Sequence, residues 1–151
     1  MTAVLQRIKH ATVYADGVLS GDVGEGLYIL LGVESGDDGE DATLLAEKIS
    51  KLRIFEDDAG KMNRSVQDID GEVMVVSNFT LAADYSHGNR PSYLGAAAPA
   101  IAEGLYNTFL DLLRPRVKKV ASGKFGADMR TDLQTDGPVT IVMYSSVLRK
   151  K

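Results

Sequence analysis

The sequence predicts an α/β fold, and three observations carry that prediction. Two apolar runs of strand length, LYILLGV after Gly26 and EVMVVS over residues 72–77, read as strands buried on both faces. Residues 41–52 and 100–113 repeat apolar side chains near helical spacing. A chain of 151 residues, 44% hydrophobic and 25% charged, suits one domain over residues 1–151 with a substantial core.

Ala3 to Ile8 alternates apolar and polar side chains, and Val13 to Asp22 contains an Asp16-Gly17 turn, so the chain opens with a hairpin. The run after Gly26 is then the central strand. Gly-Asp-Asp-Gly at 36–39 is a loop, and Leu44, Leu45, Ile49 and Leu52 mark a helix over about residues 41–52. Residues 57–71 are polar and glycine-containing, which predicts a surface loop. The strand at 72–77 runs directly into Asn78-Phe79-Thr80-Leu81. A loop with His87, Arg90 and two prolines follows, then a helix from Ala100 to Leu113 whose stripe is Ile101, Leu105, Phe109 and Leu112. Val117 to Ala121 reads as a short strand, and SGKFGADM as a glycine-punctuated loop with an exposed Phe125. The last strand is expected to begin at Gly137-Pro138, because proline lacks an N–H and is tolerated at a strand's first residue.

The formal charge of -4 argues against indiscriminate nucleic-acid binding, so neither a DNA nor a membrane partner is expected. Cations nonetheless cluster at Arg114, Arg116, Lys118, Lys119 and Lys124 and at Arg149, Lys150 and Lys151, either a local RNA footprint or a solvated face. Without cysteine, and with only His10 and His87, no metal site or cofactor is implied, and the amino end lacks a signal-peptide pattern, which predicts a cytoplasmic location. A Ser77/His87/Asp128 triad lacks a nucleophile elbow, and GKFGAD has neither Walker nor dinucleotide spacing. What remains is a strand end with hydroxyls (SNFTL), a Gly-Pro turn and a Gly/Phe loop. Such a set can bind and orient, or hydrolyse an activated ester through backbone N–H groups aimed at the developing oxyanion.

LQRIKHATVYADG at the amino end, SNFTL at 77–81, GNRPSY at 88–93, FGADM at 125–129 and DGPVT at 136–140 together resemble the D-aminoacyl-tRNA deacylases. The resemblance spans nearly the whole chain. It implies mixed, mostly antiparallel β layers with two helices packed on one side, assembled as a homodimer. It further implies hydrolysis of the ester joining a D-amino acid to the 3′ end of tRNA, with no cofactor and with glycyl-tRNA as a second substrate. Ser77, Phe79 and Thr80 match the family's catalytic positions. Gly137 and Pro138, joined by a cis bond in the family, match a turn that enters the partner subunit's pocket and collides with an L side chain. Asn78, Phe125 and Met129 match pocket positions, and Arg7 an arginine that tethers the Gly-Pro turn. The family usually has glutamine at the place of Asn78, so its pocket contact is the one this sequence alters. Three alternatives stay open: Thr80 as a covalent nucleophile, a sister group that edits L-alanyl-tRNA, and a non-catalytic module binding RNA 3′ ends.

Overall fold

The computed structural model describes residues 1–149; Lys150 and Lys151, two of the cations noted above, lie outside the described residues. β1 (Thr2–Ala15) turns through Asp16 and Gly17, both at positive φ, into β2 (Val18–Val23), the hairpin read from the sequence. β3 (Gly26–Gly32) continues along the same edge of β1, so that Thr2–Ile8 pair with β3 and Ala11–Ala15 with β2.

Asp38 and Asp41 form a reciprocal capping box at the start of α1 (Gly39–Lys51), so the helix begins slightly earlier than its apolar spacing indicates. β4 (Phe55–Glu56) and β5 (Met62–Arg64) make a separate two-stranded ribbon. The expectation of a plain surface loop at 57–71 therefore fails in part. Ser65 and Val66 are buried, and a three-residue strand is too short to leave a periodic signal.

β6 (Glu72–Ser77) lies parallel to β3 and carries the chain into a 3-10 turn at Phe79–Ala82. Then come α2 (Pro99–Leu113), β7 (Lys119–Ser122), β8 (Met129–Tyr144) and the short α3 (Ser145–Arg149). Among the described residues the six-stranded sheet runs β2-β1-β3-β6-β7, with β8 on the other edge of β1. The Ser20 hydroxyl donates to Ser122 O (2.8 Å) and Lys119 Nζ to Asp22 O (2.6 Å), which draws β7 toward β2 and nearly closes the sheet.

The core has two parts. Leu5, Ile29, Leu31 and Val75 pack with Leu45, Ile49, Phe109 and Leu113 of α1 and α2. The other face, with Ile8, Val13, Tyr28 and Met74, is covered by the curling sheet itself. β3 and β6 are thus buried on both faces, as their uninterrupted apolar runs require.

Two expectations need correction. In α2 the buried side chains are Ala102, Tyr106, Phe109, Leu110 and Leu113, whereas Ile101 is exposed and Leu105 and Leu112 are only half-buried. The apolar residues cover more than one stripe, and the sheet selects the phase one residue later. Nor does the last strand begin at Gly137-Pro138. β8 starts at Met129, and its register against β1 shifts on both sides of Ile8: across Arg7 it jumps, so that Thr135 faces Ile8 while Thr140 faces Gln6. Residues 136–139 therefore bulge out of the ladder, the other setting in which a strand tolerates proline.

Candidate active site

The carboxyl end of β6 meets the amino end of α2 and the β7–β8 loop around a cleft of about 470 Å³. Gly32 makes this approach possible, since a Cβ there would stand 3.0 Å from both Asn78 O and Leu81 Cβ. The cleft gathers Ser77, Asn78, Phe79, Phe125 and Met129, which lie far apart in sequence. Among the described residues its lining contains no carboxylate, lysine, arginine or histidine. The polar groups this lining offers are amide and hydroxyl dipoles.

Asn78 caps the 3-10 turn. Its Oδ1 accepts the Thr80 N–H (3.2 Å) and the Thr80 hydroxyl. Asn78 N donates to Leu31 O (2.8 Å), while the Phe79 N–H has no partner among the described residues. The Phe79 ring is exposed and meets Tyr93 edge-on at 5.1 Å between centroids. Phe125 is half-buried, not exposed as its loop suggests, and its ring lies 6.0 Å from that of Tyr106. Met129 packs against the second core cluster with its Sδ over Gly123, where a Cβ would approach within 2.3 Å.

Tyr106, Ala102 and Pro99 of α2 also line the cleft, and sequence reasoning missed all three. Tyr106 is buried, and burial pushes its hydroxyl up to about 12. That hydroxyl donates to Val75 O at 2.9 Å. A tyrosine on an amphipathic stripe looks like core, and only a correct helix phase turns it toward the cleft.

Gly137, Pro138 and Arg7 do not join these residues within one chain. The Gly137–Pro138 bond is cis, and both residues are exposed. From Met129, at the cleft, to Gly137 is eight residues of strand, roughly 26 Å. Gly137 has φ 134°, and a Cβ there would stand 2.6 Å from Val139 N, so the position accepts only glycine. Arg7 is buried. Its Nε reaches Asp136 Oδ2 (3.1 Å) and Asp136 O (3.3 Å), and its Nη1 donates to Ile54 O (2.9 Å).

A family model described as D-Tyr-tRNA(Tyr) deacylase matches residues 4–144. The D-aminoacyl-tRNA deacylase of Ruegeria pomeroyi is 52% identical over 143 residues, 95% of this chain and 99% of the relative. That of Geobacter sulfurreducens is 50% identical over 143 residues, 95% of this chain and 94% of the relative. Among solved structures, a c-Myc DNA unwinding element binding protein superposes with a TM-score of 0.89 at 39% identity, covering 95% of this chain and 98% of that one. A structure described as a probable eukaryotic D-amino acid tRNA deacylase superposes at 0.81 with 14% identity, covering 95% and 99%, which shows a shared fold. With a match that runs from β1 to the end of β8 and relatives half identical over nearly their whole length, the chain belongs to the D-Tyr-tRNA(Tyr) deacylase family.

Proposed function

We propose that the chain, acting as one domain, hydrolyses the ester of D-aminoacyl-tRNA and releases free D-amino acid and tRNA. The observation that carries this is the cleft without acid or base at the end of β6. An aminoacyl ester is already activated, so a donor aimed at its carbonyl oxygen, together with the tRNA's own terminal 2′-hydroxyl, suffices to assist attack by water. The Phe79 N–H, left without a partner among the described residues, is that donor. Thr80 is a poor nucleophile here, because its hydroxyl donates to an amide oxygen that cannot act as a base.

The chain works as a homodimer in the cytoplasm. Gly137 and Pro138 are exposed and too far along β8 to reach their own cleft, which favours their entry into a second copy's. There their main chain collides with an L side chain and leaves the D side chain untouched, so any side chain of the right hand is accepted. Glycine offers nothing to reject, so glycyl-tRNA is also cleaved. Phe125 supports the terminal adenosine, Met129 and Asn78 shape the pocket wall, and Arg7 holds the Gly-Pro bulge through Asp136.

Single-turnover release from D-tyrosyl-, L-tyrosyl-, glycyl- and L-alanyl-tRNA tests the reading. Fast cleavage of the D and glycyl esters with the L esters intact is the expected result. Preference for L-alanyl-tRNA would make the chain an L-alanyl editor, and binding without cleavage of any ester would make it an RNA 3′-end binding module.

A further inference from the structure

We infer that Tyr106 is a positioning residue for the substrate-binding cleft, tying α2 to the two segments that carry Ser77–Thr80 and Phe125. The Val75 carbonyl is the point where these segments meet. It accepts the Tyr106 hydroxyl at 2.9 Å and the Gly123 N–H at 3.2 Å, so both of its lone pairs are used. Val75 precedes Ser77 by two residues on β6, and Gly123 precedes Phe125 by two on the β7–β8 loop.

The Tyr106 ring adds a second contact to the same loop. It lies 6.0 Å from the Phe125 ring at 49°, within the range where aromatic pairs attract. Through one side chain, then, α2 sets both the end of the strand that begins the site and the aromatic wall facing it. Without the hydroxyl, Val75 O keeps its Gly123 donor and α2 keeps its core packing through Phe109 and Leu113, so the fold survives while the hydrogen bond that ties α2 to β6 beside the cleft is lost. The wall and the strand end then lose their fixed separation, and the bound 3′ end is held less tightly.

This rests on the deacylase reading, because the probe is the end of that enzyme's substrate. The probe is 3′-(D-tyrosylamino)-3′-deoxyadenosine, whose amide resists hydrolysis, titrated against the unmodified chain, Tyr106→Phe, Phe125→Leu and the double variant. Tyr28→Phe is the control: Tyr28 is also buried, and its hydroxyl lies 3.2 Å from Thr131 Oγ1 and outside the cleft. Tyr106→Phe is expected to raise the dissociation constant about threefold to tenfold, the worth of one net hydrogen bond. In the double variant the two effects should combine to less than their product, since both act on one wall. Parallel kinetics on D-tyrosyl-tRNA should show a raised KM with kcat nearly unchanged. The role is wrong if Tyr106→Phe binds the probe like the unmodified chain, if Tyr28→Phe weakens binding as much, or if the two cleft substitutions multiply independently. Failure of the unmodified chain to release D-tyrosine would count against the hydrolase itself, a result separate from these ratios.

Discussion

Asn78 accepts from both the N–H and the hydroxyl of Thr80, and this pairing limits what Thr80 contributes to chemistry. Thr80→Val is therefore expected to keep deacylation of D-tyrosyl-tRNA within about tenfold, since the side chain supplies no attacking group. Rapid-quench measurement should show no covalent acyl intermediate, and a burst that disappears in the variant would restore Thr80 as nucleophile. Asn78→Ala removes a cap and should lower stability by about 1 kcal/mol in a denaturant titration. The shorter amide was legible as a departure from the family. Its turn back onto Thr80 was not, because a side chain's choice between ligand and local backbone depends on where the turn lies. Tyr106 was illegible for a related reason: its chemistry is a hydrogen bond to a strand 31 positions away in sequence.

Single elements add electrostatic and mechanical terms. Burial alone would raise Asp41, but Arg149 of α3 and the Asp38 N–H outweigh it and hold this carboxyl at about 2, from an ordinary 3.8. A carboxyl depressed on folding stabilises above its unfolded value and loses that contribution as pH falls through the folded one. Acid titration of stability should show a loss of about 2 kcal/mol between pH 4 and 2. In Asp41→Asn that part of the slope should vanish. From β1, Arg7 grips the β8 bulge at Asp136. Arg7→Met should cost about 2 kcal/mol, the scale of a charged hydrogen bond removed from the interior. It should also raise cleavage of L-tyrosyl-tRNA relative to the D ester, and unchanged discrimination would remove Arg7 from the specificity device. The elements themselves were largely readable: α1, β3 and β6 follow from apolar spacing and run length. The bulge was not, because DGPVT alone does not reveal that Thr131–Thr135 and Thr140–Tyr144 pair with the same partner strand. The phase of α2 failed where Ile101, Leu105 and Leu112 offered a second apolar face.

At the scale of the molecule, the outer edge of β8 is unpaired among the described residues, and it carries exposed Val142 and Tyr144. A long open edge of this kind invites a second strand. Sedimentation should show a dimer, and Val142→Lys should release monomers that no longer deacylate. The basic cluster divides. Arg114 pairs with Asp111, and Arg116 donates to Leu112 O and approaches Glu47, whereas Lys118 and Lys124 are exposed without an ion pair among the described residues. Replacing Lys118 and Lys124 with glutamine should lower the salt slope of tRNA affinity by about 1 for every phosphate that is no longer neutralised. An unchanged slope would exclude this surface. The pairing of β1 with β8 has a consequence for how the protein is made. Thr2 lies against Tyr144, so on the ribosome the first strand emerges long before its partner is translated. At typical elongation rates that interval is on the order of ten seconds. Throughout it one edge of β1 stays unpaired in the nascent chain, and β2 and β3 shield only the other.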